Sequence, residues 1–194
     1  MLSRADVVQA TCEEEAEWIK EYCPSVASKV KLTDLKRFFK LGKESQVEGW
    51  RLKVGQRNLN VLFLGRKNDP LKGVSYLERA VSEVNYQAMS MLPCCPDSGV
   101  IDLRIVSNAQ GEELAKEWDW CDVLCLPTLS ENFGRVVAEA IERGRSVITT
   151  DGAPAWREYF KAHPEKGIYL AGFRNGDDSL RVQLLADALK YFVG

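Results

Sequence analysis

The chain has 194 residues, with 26 Lys and Arg against 28 Asp and Glu, a formal net charge of −2 and a pI of about 5.6. Near-balanced, interspersed charge argues against a nucleic-acid-binding surface, and no apolar run reaches the roughly 20 residues of a membrane span. The length fits one principal domain with a sizeable core.

The first residues, MLSRADVVQATCEEE, turn acidic where the apolar part of a secretory leader would come, so no leader is expected. Six cysteines stand at Cys12, Cys23, Cys94, Cys95, Cys121 and Cys125. They form no C-x-x-C pair, and the single histidine, His163, has no cysteine near it in sequence, so no metal site is expected. Cys121 and Cys125 flank an apolar run and read as core thiols. Reduced thiols suit a cytoplasmic protein.

In chain order, Ala5 to Gln9 is a candidate short strand. Glu13 to Tyr22 reads as a helix opened by Thr11 or Cys12, acidic in its first turn and ended before Pro24. From Ser25 to Lys53 the chain is basic. There Lys29, Lys31, Lys36, Arg37, Lys40 and Lys43 surround Leu35, Phe38, Phe39 and Leu41. This stretch reads as an amphipathic helix with a solvated basic face, or as a patch that contacts anionic lipid head groups, which would bring the chain to the inner face of a membrane. Residues 1–54 are taken as a lead-in segment and 55–194 as the principal domain.

Val61 to Leu64 is a strand ending in Gly65-Arg66. A loop, KNDP, leads to Lys72-Gly73 and to a helix through Leu77, Ala80, Val81 and Val84. A loop at a strand's end, followed by free N–H groups at a helix start and flanked by Arg66 and Lys72, suits a diphosphate. The bland alternative is two surface cations. Met91 to Asp97, with two prolines, reads as a loop, Ile101 to Val106 as a strand, and Gly111 to Trp118 as a helix.

The densest signal is Asp122 to Trp156, DVLCLPTLSENFGRVVAEAIERGRSVITTDGAPAW. Val123 to Leu126 has the profile of a strand buried on both faces, and the polar loop Thr128 to Asn132 carries Glu131. A helix then places Val136, Val137, Ala140 and Ile141 on one side and Arg135, Glu139, Glu142 and Arg143 on the other. Gly144 stops it, Ser146 to Thr150 is a second strand, and DGAP turns the chain. Trp156 to His163 reads as a helix and Gly167 to Leu170 as a strand. Ser179 to Phe192 reads as a closing helix with Leu180, Leu184, Leu185, Ala188 and Leu189 inward and a cap at Asp177 or Asp178. Strand–helix alternation from Val61 onward predicts an α/β fold, a Rossmann-like doubly wound parallel sheet with helices on both faces.

The stretch SENFGRVVAEAIERGRSVITTDGAPAW resembles the donor-site motif of retaining glycosyltransferases of the GT-B fold, family 4. The core of that motif is two glutamates with seven residues between them, here Glu131 and Glu139. The G-R loop at Gly65-Arg66 and the K-G pair at Lys72-Gly73 stand where the family has comparable features. "AD-V-x-A-T-x-x-E" near the N-terminus is similar to the segment leading from the acceptor half to the donor half.

The resemblance implies a single GT-B half whose donor is a nucleotide-diphosphate sugar, with no further cofactor. By position it implies that Glu131, the catalytic candidate, contacts the donor sugar and Glu139 the ribose. Arg66 and Lys72 would stabilise the departing diphosphate together with N–H groups around Asn132, Phe133, Gly134 and Arg135. Gly134 lets backbone approach the ligand. An ordinary helix salt bridge from Glu139 to Arg135 or Arg143 is the competing assignment. Asp151 and Thr150 are supporting groups, and His163 has a surface or packing role.

The family's N-terminal half is not matched, so a separate acceptor-binding domain or chain and a glycan or lipid acceptor are the implied partners. The stretch Ser25 to Lys53 replaces the family's lead-in with its Pro-Asn-Gly turn. Only one strand is evident between Val84 and Asp122 where the family commonly has two, which bears on the base pocket. Two alternatives carry forward: a non-catalytic sugar-nucleotide-binding or interaction module, and a sugar-nucleotide epimerase-like enzyme, which shares the two-domain plan.

Overall fold

The computed structural model describes residues 5–33, 58–91 and 99–193. The chain divides into two compact units, Met1–Lys43 and Glu44–Gly194.

In the first unit β1 (Val8–Ala10) and β2 (Val30–Leu32) pair in parallel, with α1 (Glu13–Tyr22) between them in sequence. The Thr11 N–H and hydroxyl both donate to the Glu15 carboxylate, at 2.7 and 2.6 Å, which fixes the entry into α1. Val8, Ala10, Ala16, Ile19 and Val26 form its core. The basic stretch departs from the sequence expectation at its start. Pro24–Lys29 is a 3-10 helix and Val30–Leu32 a strand, where an amphipathic helix is predicted. Three parallel backbone pairings to β1 outweigh the weak helical pattern there. The segment 34–57, with most of the basic residues, lies outside the described residues, as do residues 92–97 of the stretch expected as a loop, whose first residue, Met91, instead ends the preceding helix.

The second unit is a five-stranded parallel sheet in the order β4-β3-β5-β6-β7. Its strands are β3 (Asn58–Leu64), β4 (Val100–Val106), β5 (Val123–Leu126), β6 (Ser146–Thr150) and β7 (Gly167–Leu170). Both β5 and β6 are buried at every position, the consequence of helices on both faces. Edge strand β4 instead turns Asp102 outward and carries Arg104, which pairs with Glu117 at 3.1 Å.

The helices are α2 (Val74–Met91), α3 (Gly111–Trp120), α4 (Arg135–Glu142), α5 (Arg157–Ala162) and α6 (Asp178–Val193). The step from β3 to β4 runs one way along the sheet and the steps through β5, β6 and β7 run the other. Right-handed crossovers therefore put α2 on one face and α3, α4 and α5 on the opposite one. The closing helix α6 packs along α2. This is the predicted doubly wound sheet.

Asp177 caps α6 by accepting from the Leu180 N–H at 2.8 Å. Inward on α6 are Val182, Leu185, Ala186, Ala188 and Leu189, whereas Leu180, expected inside, is 41% exposed. Burial pushes the Cys121 thiol up to about 12 and raises Cys125 further, so both are inert core thiols as expected.

Candidate functional site

In a parallel sheet of this order the chain leaves β3 in one direction and β5 in the other. A crevice therefore opens beyond their C-terminal ends, the general position of ligand sites in such sheets. Two loops border it. The loop after β3 runs from Gly65 to Gly73, and the loop after β5 from Pro127 to Gly134.

Backbone chemistry holds the two loops together. The Leu129 N–H donates to the Leu71 carbonyl at 2.7 Å, and Thr128 Oγ1 lies 3.0 Å from the carbonyls of both Leu71 and Ser130. Gly73, at φ 65°, lets the first loop turn into α2 while its backbone touches the second. A Cβ there would lie 2.0 Å from the Pro127 carbonyl oxygen. The loop after β6 supports the second loop from its other side. The Glu131 N–H donates to the Gly152 carbonyl at 2.8 Å, and the Thr150 hydroxyl donates to the Thr128 carbonyl.

At the junction Lys72 Nζ meets Glu131 Oε2 at 2.5 Å, across 59 residues of sequence. Lys72 is 13% exposed and Glu131 24%, so the pair is sheltered from water but reachable. Glu131 Oε1 accepts the Asn132 N–H at 3.0 Å, and the Gly134 N–H also reaches this carboxylate. Partial burial on its own would raise the Glu131 carboxyl. The Lys72 ammonium and the Gly134 and Asn132 N–H groups outweigh it and hold the carboxyl below the usual carboxylate range.

Gly134, at φ 52°, starts α4. A Cβ there would sit 3.3 to 3.4 Å from Leu126, Glu131 and Trp156. The buried Trp156 indole donates to the Phe133 carbonyl at 2.6 Å, which pins the turn between Glu131 and α4. Sequence reasoning assigned Trp156 no role, since a tryptophan after DGAP carries no signal of a hydrogen bond 23 residues back.

Lys72, Glu131, Asn132 and Gly134 are thus brought together. Gly65 and Arg66 lie at the same edge of the sheet, directly after β3, but the Arg66 guanidinium is 77% exposed and pairs with Asp69 at 2.7 Å. Glu139 lies in the second turn of α4, half-buried. The competing salt bridge is not formed, because the Arg143 guanidinium donates to the Glu139 backbone carbonyl, at 3.2 Å, and not to its carboxylate. Among the described residues that carboxylate takes no hydrogen bond or ion pair.

The Asp151 carboxylate is occupied by the N–H groups of Gly172 and Arg174, at 2.8 and 2.7 Å, and so anchors the loop after β7. His163 stacks on Tyr159 at the far end of α5, away from the crevice. Sequence reasoning also missed Arg181. It donates to the carbonyls of Phe173 and Arg174 and to the Tyr76 hydroxyl, tying α6 to the first turn of α2. No group of three or more His, Cys, Asp or Glu side chains converges among the described residues, and no helix among them is long and apolar enough to cross a membrane.

Residues 58–189 match the family model described as glycosyl transferases group 1. No curated protein sequence matches the chain. The solved structures that share its fold include WaaG and a chain of the GtfA/B complex. WaaG, a glycosyltransferase involved in lipopolysaccharide biosynthesis, is 15% identical with a TM-score of 0.55, over 94% of this chain and 53% of WaaG. The GtfA/B complex contributes a chain 12% identical with a TM-score of 0.59, over 96% of this chain and 38% of that one. The chain thus spans about half or less of the length of these structural relatives.

Proposed function

The chain belongs to the glycosyl transferases group 1, and from that premise we propose that it is the donor-binding half of a retaining glycosyltransferase. In this reading a nucleotide-diphosphate sugar lies across the crevice between the loops after β3 and β5. The observation that carries it is the sheltered Lys72–Glu131 pair at the switch point of the sheet. That pair sets a cation for the diphosphate beside an acceptor for sugar hydroxyls.

Arg66 reaches the outer phosphate from the same edge once it turns from Asp69. Its guanidinium is 77% exposed, and Asp69 keeps the Leu71 N–H when Arg66 turns. The Arg135 N–H and the positive end of α4 place partial positive charge where the leaving diphosphate gathers negative charge. The Phe133 carbonyl, held by Trp156, and Asn132 shape the turn against the sugar. Glu139, unpaired among the described residues, takes the ribose hydroxyls. In transfer, Glu131 orients the sugar while Lys72 and Arg66 lower the cost of breaking the anomeric C–O bond.

The acceptor hydroxyl must be held on the leaving-group side with water excluded, which takes a cleft closed by two domains. We assign that task to a second domain, on this polypeptide or on a partner chain, as the GtfA/B neighbour being a complex suggests. A glycan or lipid acceptor is in keeping with the involvement of WaaG in lipopolysaccharide biosynthesis, and a cytoplasmic site of action with the free Cys12, Cys23, Cys121 and Cys125.

Incubation of the purified chain with labelled nucleotide sugars tests the reading. Binding of order micromolar to millimolar, lost in Glu131→Ala, with little transfer, is expected. Robust transfer by this chain alone would overturn the assignment of the acceptor site to a second domain. Absence of any nucleotide-sugar binding would overturn the donor site itself.

A further inference from the structure

We propose that Glu131 discriminates against the free nucleoside diphosphate and thereby sets the site's preference for the sugar-bearing donor. The inference rests on the donor-site reading above and adds a direction to it: the same pair that receives the donor works against retention of the product.

The carboxylate has three partners, Lys72 on Oε2, the Asn132 N–H on Oε1, and the Gly134 N–H. Only Lys72 is a side chain free to leave. A diphosphate that takes Lys72 removes the single cation from a carboxylate that is only 24% exposed. It also brings its own negative charge alongside.

What happens next depends on the rest of the ligand. A nucleotide sugar carries hydroxyls, which are hydrogen-bond donors, so Oε2 exchanges one donor for another. A nucleoside diphosphate ends in phosphate oxygens, which only accept. Glu131 is then left with two backbone N–H groups and an anion as its neighbour, and a sheltered charge without its partner is costly. Discrimination of this kind comes from the wrong ligand leaving the protein unsatisfied. Arg66, whose guanidinium is 77% exposed and pairs with Asp69 rather than with Glu131, takes no part in this exchange.

The site therefore holds the product less well than the donor, which favours exchange of one for the other after transfer. Conversely, removing the negative charge at position 131 frees Lys72 without any opposing cost and should favour the product.

The test is calorimetric titration of the full chain with uridine, guanosine and adenosine diphosphates, each beside its glucose ester, using the base that binds. Wild type, Glu131→Gln, Lys72→Met and the double variant are compared. Glu131→Gln is expected to tighten nucleoside diphosphate binding about tenfold with no gain for the glucose ester. The gain should vanish in the Lys72→Met background, a coupling that general loosening of the loop would not produce. Equal weakening of both ligands by Glu131→Gln, or a gain that persists without Lys72, overturns the inference and leaves the donor site standing. If neither ligand of any pair binds the wild type, the donor-site reading falls with it.

Discussion

Trp156 Nε1 lies 2.6 Å from the Phe133 carbonyl oxygen, so a ring from the segment after β6 fixes the turn that begins α4. The indole is fully buried and packs edge-on against Tyr159. Trp156→Phe keeps an aromatic ring but leaves a carbonyl without this donor and a small void. We expect a loss of about 1–3 kcal/mol in urea unfolding. Nucleotide-sugar affinity should fall several-fold, because Gly134 and Glu131 flank the released turn. Unchanged affinity in a destabilised variant would show that the turn is held by other contacts.

Gly73 and Gly111 form a matched pair for separating backbone conformation from crowding. Both are left-handed, at φ 65° and 55°, but a Cβ at Gly73 meets the Pro127 carbonyl oxygen at 2.0 Å while one at Gly111 meets nothing within 4 Å. Gly111→Ala is expected to cost about 1–2 kcal/mol, the conformational part alone. Gly73→Ala should cost clearly more and impair nucleotide binding, since Lys72 must move with the backbone. Equal losses in denaturation would mean that the loops separate without penalty.

The Lys72–Glu131 pair predicts a pH dependence of stability. The Glu131 carboxyl is lower in the folded chain than in the unfolded one, so the unfolded state binds a proton first as pH falls. The pair's contribution is fully present above the ordinary glutamate value, roughly 4.3. It is lost as pH falls from there through the lower folded value. The stability difference between wild type and Glu131→Gln should be flat at neutral pH and shrink in that acidic window. For so sheltered a pair its neutral-pH size is about 1–3 kcal/mol, between exposed and buried ion pairs. A difference independent of pH would show that the ion pair does not form.

Much of the fold was legible because periodicity and punctuation agree. Glu13 to Tyr22 and Val123 to Leu126 have the predicted bounds, since one is closed by Pro24 and the other by Pro127. The fold class followed from the alternation of elements, and the family from the motif around Glu131 and Glu139. β2 was not legible, because three residues within a basic stretch become a strand only through pairing with β1, 22 positions earlier. Leu180 fits the apolar stripe of α6 by spacing, yet it is 41% exposed, and spacing alone does not say where a stripe's packed face begins. At the site, the family resemblance marked Glu131, and loop position together with that resemblance marked Lys72, as separate donor-site candidates. Their direct contact depends on strand order, because only β3 lying beside β5 brings the two loops together. The Trp156 and Arg181 contacts were missed for the same reason: side chains that reach backbone carbonyls leave no pattern in sequence.

If Lys72 and Arg66 serve a diphosphate, two ligands that differ only in that group will separate when these side chains are removed. Wild type, Lys72→Ala and Arg66→Ala are titrated calorimetrically with a nucleoside diphosphate and with the bare nucleoside. Each substitution is expected to weaken the diphosphate by about tenfold or more, the scale of a charge-assisted hydrogen bond, and to leave the nucleoside nearly unchanged. Equal losses for both ligands would contradict that role and assign these residues to holding the loops alone.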